Sequence, residues 1–219
     1  MTVATPLRAQ PRKLSAFLKE LHLEHGSHAP DSKFCVMEAA AYLAGEPWSD
    51  TPKCVSPAIT AFLVTWNDSL PDDKRDILKP LIPVVIDSRT NATDEKRRAW
   101  MATDWLARVF APEWLDLAGL HDHAAKLRAL DELTSDAIAR KAQPIIEDAR
   151  KASAAAWSAA WSAAWSAAGS AAESAAESAA RSAAWSAAEA ALADTVKELQ
   201  ASALQLVERM AAVGRKKAA

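Results

Sequence analysis

Residues 154–192 read AAAWSAAWSAAWSAAGSAAESAAESAARSAAWSAAEAAL, in which the four-residue word x-Ser-Ala-Ala occurs eight times in succession from Trp157 and is followed by the variant Glu-Ala-Ala-Leu. Alanine is the strongest helix former, and no proline interrupts the chain after Pro144. The sequence therefore predicts one helix over about 144–213, which at about 1.5 Å per residue would be on the order of 100 Å long.

The tryptophans of the repeat share one side of this predicted helix. Four residues advance an α-helix by about 400°, so each word is rotated by about 40° relative to the preceding one. Within one half of the circumference lie Trp157, Trp161, Trp165 and Trp185. On the other half lie Glu173, Glu177 and Arg181, with Glu189 as an exception. This separation of indoles from charges indicates a helix with one buried side.

The same side continues toward the C-terminus as an apolar seam with heptad-like spacing. The seam comprises Leu192, Val196, Leu199, Leu206 and Met210. Because indole rings bury far more area than Ala or Ser, the four tryptophans and the seam form the predicted association surface. Its partner is open: residues 14–140 of the same chain, a second copy in a homo-oligomer, another protein, or a ligand stacked on the rings. Nucleic acid is disfavoured, because the rings lack accompanying Lys and Arg.

A helical hairpin is the alternative to one long helix. Gly169 has the residue type of a helix C-cap and Ser170 that of an N-cap, with Glu173 where a capping box places its acidic partner. The chain would then turn at Gly169. Against this, Ser-x-x-Glu recurs at Ser174 and Ser186 without a preceding glycine, so the box is largely a by-product of the repeat.

The chain before the repeat has the pattern of a globular helical domain. Apolar residues at i, i+3, i+4 and i+7 from Leu14 are typical of an amphipathic helix. Ser56 and Pro57 form a helix start, and Gly45 suits the left-handed position after a last turn. No segment alternates apolar and polar residues over the length of a strand, which predicts an all-α fold. The predicted organisation is a flexible N-terminus at 1–13, a helical globular domain at 14–142, a long Ala/Ser/Trp-repeat helix with a heptad-like C-terminal half at 143–214, and a basic tail at 215–219.

The charge balance is near neutral in both parts of the chain. Residues 1–150 hold 19 Lys and Arg against 22 Asp and Glu, and residues 151–219 hold 7 against 6. Neither part has the basic excess of a nucleic-acid-binding surface.

The sequence predicts a cytoplasmic protein of a bacterium or a phage-infected cell. Two cysteines are too few for a disulfide-built secreted domain, and the N-terminus lacks the pattern of a signal peptide. Residues 152–172 carry no charge and are long enough to cross a bilayer, but Ala and Ser contribute little transfer energy, so no membrane span is predicted.

One constellation has the residue types of a metal or small-molecule site. Cys35 and Glu38 share a helix face, and the following loop brings Asp50 and Cys54. Zinc frameworks instead space cysteines in pairs two to four residues apart, which weakens this hypothesis. No Gly-rich phosphate loop, G-x-S-x-G or H-E-x-x-H motif occurs. The sequence therefore predicts no catalytic residue and no cofactor.

Residues 34–73, FCVMEAAAYLAGEPWSDTPKCVSPAITAFLVTWNDSLPDD, are followed by LKPLIP at 78–83 and then by the Ala-rich repeat. This combination resembles a group of uncharacterised actinobacterial and phage-encoded proteins. The resemblance implies a bacterial or phage origin and transfers no catalytic residue. A phage setting favours binding proteins, including inhibitors of host defence.

Two functional hypotheses follow. The first is a non-catalytic interaction or assembly protein that uses the Trp-bearing helix for oligomerisation or partner binding. The second is a small-molecule- or metal-binding domain centred on the region from Cys35 to Cys54, for example a phage inhibitor of host defence.

Replacing Trp157, Trp161 and Trp165 together with alanine tests self-association through the repeat. Alanine preserves helix propensity while removing about 150–250 Å² of buried area per ring, so helicity should persist and association should weaken. Circular dichroism and light scattering measure the two effects. A wild-type protein that is monomeric at high concentration would remove self-association from the possible uses of the repeat.

Overall fold

The structure, a computed structural model, describes residues 11–30, 33–170 and 176–215, and for residues 11, 12, 157, 159–170 and 176–191 the backbone alone. Within these ranges the fold is all-α, which confirms the predicted fold class. In chain order the helices are α1 (Pro11–Glu20), α2 (Val36–Ala44), α3 (Pro57–Ser69), α4 (Leu81–Val85), α5 (Ala92–Trp105), α6 (Ala111–Leu117), α7 (His121–Arg128), α8 (Asp136–Ser170) and α9 (Ala176–Ala212). A 3-10 turn at Arg75–Leu78 precedes α4, and a π-helical segment at Leu106–Phe110 joins α5 to α6.

The chain divides into two compact units. The first comprises Met1–Ala102 and Ala203–Ala219, and the second comprises Thr103–Ser202. The predicted domain boundary at 142–143 falls inside α8. That helix begins at Asp136, directly after Ser135, whose hydroxyl accepts the backbone N–H of Ile138 at 3.4 Å.

α2 lies at the centre of the first unit. Nearly every residue of this helix is buried, including three consecutive alanines at 39–41. Small side chains allow close approach, and both α3 and α4 contact α2. The contacting helices supply the buried apolar residues Ile59, Leu63, Leu81 and Ile82. Burial of such a side chain contributes about 1.5–3 kcal/mol, so this core is the main source of stability in the unit.

The C-terminal turns of α9 belong to the core of the first unit. The guanidinium of Arg98, on α5, is fully buried and donates to the carbonyls of Met210 at 2.9 Å and Val213 at 2.6 Å. It also donates to Glu95 at 2.6 Å. Glu95 in turn accepts from the hydroxyl of Ser56, the N-cap of α3, at 2.5 Å. One polar network therefore joins the start of α3, the first turns of α5 and the end of α9.

Part of the predicted association surface is buried inside the two units. Leu206 and Met210 are core residues of the first unit, and Leu199 is buried in the second. Leu192 and Val196 are half-buried. The side chains of the four repeat tryptophans, Trp157, Trp161, Trp165 and Trp185, lie outside the described residues. A second copy of the chain therefore cannot use Leu199, Leu206 or Met210 without unfolding part of the protein.

The prediction of one long helix is wrong. Leu133, just before α8, donates its N–H to Asp104 at 2.8 Å, and Ser202 in α9 accepts from the indole of Trp105 at 2.6 Å. A straight helix from residue 144 would carry residue 202 on the order of 90 Å from its start. Because Asp104 and Trp105 are chain neighbours, α8 and α9 must lead away from the same place and back to it. This is the arrangement of a helical hairpin.

Two local expectations about the repeat concern α8. Pro144 lies inside this helix rather than at its start, and Gly169 also lies inside it. A helix tolerates one glycine at a cost of about 1 kcal/mol, which the surrounding alanines offset. Gly169 lies one residue before the described end of α8, and residues 171–175 lie outside the described ranges, so the position of the turn stays a prediction.

Replacing Gly214 with alanine should destabilise the end of α9 more than a left-handed glycine alone would explain. Gly214 has φ +73°, and an added Cβ would overlap the Asp94 carboxylate and lie 3.1 Å from the Thr90 methyl. Gly26, at φ +82° with nothing within 4 Å, is the matched control. Alanine at Gly26 should cost about 1–2 kcal/mol of backbone strain, and alanine at Gly214 should cost about 1 kcal/mol more. Urea denaturation followed by circular dichroism measures both, and equal losses would show that the close approach is not required.

Candidate interaction surface

The predicted ligand residues Cys35 and Glu38 form the N-terminal cap of α2. The Cys35 sulfur accepts the Glu38 N–H at 3.4 Å, and the Glu38 carboxylate accepts the Cys35 N–H at 2.7 Å. The same carboxylate accepts the backbone N–H of His28 at 2.6 Å and lies 2.9 Å from its ring Nδ1. This is a capping box with a buried carboxylate. Both residues therefore have a structural role.

The two thiols are poor ligands and poor nucleophiles in this setting. Burial raises the pKa of Cys35 to about 12 and that of Cys54 to about 11, so both remain protonated at neutral pH. Asp50 and Cys54 are half-buried in the loop between α2 and α3. Within the described ranges no group of three or more His, Cys, Asp or Glu side chains could hold a metal ion. The structure therefore does not favour the metal-site hypothesis.

Four aromatic rings fill the space next to this cap. Phe34 contacts Trp48 at 4.8 Å and Tyr42 at 5.5 Å between ring centroids, and Phe17 stacks on Tyr42 at 5.2 Å. The rings contact one another, and the Trp48 indole donates to the His28 carbonyl at 2.9 Å. This packing holds α1 and the loop after α2 together.

A different surface lies in the second unit, where the helix that begins as α5 changes from α-helical to π-helical winding. α5, the π-helical segment and α6 follow one another without a break over residues 92–117. The Ala111 N–H bonds the carbonyl of Leu106, five residues earlier, which is the π-helical pattern. Residues five apart are thereby brought onto one side of the helix. The sequence analysis did not predict this segment. Its one local signal is Pro112, in the first turn of α6, which has no N–H to donate to the preceding turn.

The π-helical segment aligns three aromatic rings. The rings of Trp105 and Phe110 lie 5.5 Å apart, although five residues would separate them by about 140° in a regular α-helix. Phe110 and Trp114 follow at 6.0 Å. Trp105 is buried and bonded to Ser202, whereas Trp114 is 38% exposed. The row of rings therefore leads from the interior of the second unit to its surface.

Large apolar side chains are exposed along this row. Among the described side chains, the most exposed large apolar ones are Leu106 (48%), Leu117 (44%), Tyr42 (44%) and Trp114 (38%). Three of these lie between residues 106 and 117. With the half-buried Phe110 they follow one side of the helix at spacings of four, four and three residues. We call Leu106, Phe110, Trp114 and Leu117 the α6 face.

The opposite side of α6 is fixed to the core of the second unit. Leu115 packs with Ala124 and Leu127 of α7 and with Ala149 of α8. Around them pack the partly buried residues Ala111, Leu120, Leu130, Ile145 and Ile146. The α6 face therefore lies on a helix whose other side is packed into a hydrophobic core.

A charged cluster borders the α6 face. Arg128 donates to Asp116 at 2.6 Å and to Glu113 at 2.7 Å, and the His121 ring lies 2.9 Å from Asp116. The His121 ring, followed by Arg128, lowers the pKa of Asp116. Glu113 and Asp116 thus share the guanidinium of Arg128. An apolar centre with a polar rim is the usual anatomy of a protein interface.

Three kinds of known protein were compared with the chain, and none is similar to it. No protein-family model, curated protein or solved structure matches the chain. The resemblance to actinobacterial and phage-encoded proteins therefore stays a prediction. In the part of the chain that the structure describes, no helix is both long and apolar enough to cross a membrane.

Replacing Glu38 with glutamine should remove part of the acid sensitivity of the first unit. Burial alone would raise the pKa of Glu38, but the hydrogen bonds from Cys35 and His28 outweigh it and lower the pKa. A lowered folded pKa stabilises the protein above the unfolded value of about 4.5 and loses this contribution as pH falls through the folded pKa. The variant should lose about 1–3 kcal/mol at pH 7 and show a flatter decline below about pH 4.5.

Urea denaturation at pH 7, 5, 4 and 3 measures this dependence, with the exposed Glu20→Gln as control. An acid decline in Glu38→Gln as steep as that of the wild type would show that Glu38 is not its source.

Proposed function

We propose that the chain is a non-catalytic interaction protein and that the α6 face is its contact surface. The observation that carries the proposal is the exposure of Leu106, Trp114 and Leu117 on one side of a helix whose other side is packed. Exposed apolar side chains that form one patch mark interaction sites in soluble proteins, whereas scattered ones do not. Tryptophan is enriched among residues that dominate binding energy.

The roles of the other polar residues support the same proposal. Cys35 and Glu38 cap a helix, Arg98 closes the end of α9, and the buried Arg75 donates to the carbonyls of Asn67 and Leu70 at the end of α3. These groups are engaged in holding helix termini. The proposal fits a phage-associated binding protein, including an inhibitor of host defence, which is the setting that the resemblance implies.

The α6 face has the length and form of a site for a partner helix. Leu106 to Leu117 span eleven residue steps, about 17 Å at 1.5 Å per residue, or about three turns. A helix that binds through positions i, i+3, i+4 and i+7 presents an apolar stripe of similar length. Burying the remaining exposed parts of Leu106, Trp114 and Leu117 would contribute a few kcal/mol at about 25 cal/mol per Å². This amount suits a transient contact more than an obligate one.

Replacing Leu106 and Leu117 together with serine tests the proposal. The probe is a fluorescein-labelled amphipathic helical peptide with four leucines on one side and glutamine elsewhere. Wild-type protein should bind it saturably below about 100 μM, and the double variant should bind at least about tenfold more weakly. Fluorescence anisotropy measures the binding, and circular dichroism checks that both proteins have the same helicity.

Tyr42→Ser is the matched control, since Tyr42 is as exposed as Leu117 but lies in the first unit. It should bind the peptide like the wild type. If the peptide binds the wild type and the Leu106→Ser, Leu117→Ser variant equally well, the α6 face is not the contact surface.

A further inference from the structure

Residues 21–28, LHLEHGSH, follow α1 and form no helix of their own, and we call them the strap. The backbone N–H groups of such a segment need acceptors elsewhere in the protein. Three of them donate to carboxylates: Leu23 to Asp76 at 3.3 Å, Gly26 to Asp68 at 2.9 Å and His28 to Glu38 at 2.6 Å. The three acceptors lie on the 3-10 turn, α3 and α2, so the strap is bonded to three separate elements.

Each of these carboxylates also has a histidine of the strap beside it. His22 Nδ1 lies 3.5 Å from Asp76, and His28 Nδ1 lies 2.9 Å from Glu38. The charge of His25 acts on Asp68. The three carboxylates therefore hold both the backbone and the imidazoles of the strap.

Cations of the first unit lie on the other side of the same carboxylates. Lys79 Nζ is 2.7 Å from Asp76, and the buried Arg75 donates to the carbonyl of Leu23 at 3.3 Å and acts on Asp68 through its charge. The remaining charged neighbours are paired with each other, Glu24 with Lys33 at 3.3 Å and Arg75 with Asp72 at 2.9 Å. Negative charge on the three carboxylates thus separates the histidines of the strap from the cations behind them.

The three carboxylates are charged at neutral pH. Burial alone would raise the pKa of Glu38, Asp68 and Asp76, but the hydrogen bonds that they accept outweigh it, and each pKa lies below its ordinary value of 4.5, 3.8 or 3.8. For Asp76 the largest lowering of the pKa comes from Lys79. Carboxylates with a lowered pKa hold the strap above about pH 4.5 and lose this contribution as pH falls through the lowered values.

In acid the balance of charge around the strap reverses. A neutral carboxyl group attracts no cation, and it accepts a backbone N–H less strongly than a carboxylate does. Histidine side chains are cations at pH 4 and below. The three imidazoliums would then face Lys79 and Arg75 with no negative charge between them, and like charges repel.

The strap carries α1, which adds few contacts of its own. Among the side chains of residues 13–28 only Leu21 and Leu23 are buried. α1 contacts the unit through Phe17, whose ring lies 5.6 Å from that of Phe34 and 5.2 Å from that of Tyr42. The core around α2 is made of fully buried side chains from other helices, so the strap and α1 can open without exposing it.

We propose that the strap and α1 form an acid-released device, in which loss of charge on Glu38, Asp68 and Asp76 opens both from the first unit while the core around α2 stays folded. Opening withdraws Phe17 and uncovers the rings of Phe34 and Tyr42. The device lies in the first unit and is independent of the α6 face.

Amide hydrogen exchange of the full chain, followed by NMR at pH 7, 5, 4 and 3 and corrected for the intrinsic exchange rate, measures opening. The probes are the N–H groups of Leu21 and Glu24, which donate to the carbonyls of Phe17 and Phe34 and are bonded to none of the three carboxylates. The N–H groups of Ala41 in α2 and Leu63 in α3 report on the core, since both residues are buried.

Between pH 5 and pH 3 the protection of Leu21 and Glu24 should fall at least about tenfold more than that of Ala41 and Leu63, because hydrogen bonds to charged acceptors are the stronger ones. Asp68→Asn with Asp76→Asn imitates the neutral carboxyl groups and should cause a loss of similar size at pH 7. Circular dichroism checks that this variant keeps its helices.

Asp116→Asn is the matched control, because Asp116 also lies 2.9 Å from a histidine ring, that of His121, but in the second unit. It should leave the protection of Leu21 and Glu24 within about twofold of the wild type.

Three results would each overturn the proposal. The first is equal loss of protection at the strap and the core in acid, which would show that only global unfolding exposes the strap. The second is wild-type protection of Leu21 and Glu24 that does not change between pH 5 and pH 3. The third is an effect of Asp116→Asn as large as that of the double variant. Unchanged protection in a folded double variant would likewise exclude Asp68 and Asp76 as the groups that hold the strap.

Discussion

The buried guanidinium of Arg98 fixes where the C-terminal helix ends. A buried cation costs several kcal/mol unless its hydrogen bonds are satisfied, and Arg98 donates to Glu95, Thr90 and the carbonyls of Met210 and Val213. A cation at the end of a helix also complements the helix dipole. The contacts join residues more than a hundred positions apart, and they make the last turns of α9 part of the first unit.

The anchoring of α9 changes the interpretation of the alanine-rich repeat. The end of α9 is held in the first unit by Arg98, and Ser202 in the same helix accepts a hydrogen bond from the indole of Trp105. α9 therefore leads back toward the start of α8. The apolar seam near its C-terminus then packs within the chain and is not available to a second copy. The surface that we propose for a partner is the α6 face, where the helix changes to π-helical winding and Leu106 and Trp114 are exposed.

Local features of the fold were predictable because they depend on neighbours in the chain. Ser56 caps α3 and Gly45 ends α2 in the left-handed conformation, as their residue types indicate. The absence of strand periodicity correctly predicted an all-α fold. The site was less predictable: Cys35 and Glu38 have metal-ligand side chains, but their spacing of three residues serves a capping box equally well. Only the hydrogen bonds from the His28 and Cys35 backbone distinguish the two roles.

The sequence by itself determined which segments are helical, since helix propensity, capping and the 3.6-residue period act over a few residues. The tertiary structure decided which apolar faces are buried. Leu206 and Leu117 are equally apolar, yet one is in the core and the other is 44% exposed. The difference arises because burial depends on residues distant in the chain, such as Arg98 of α5, which donates to the end of α9. No local pattern specifies those partners.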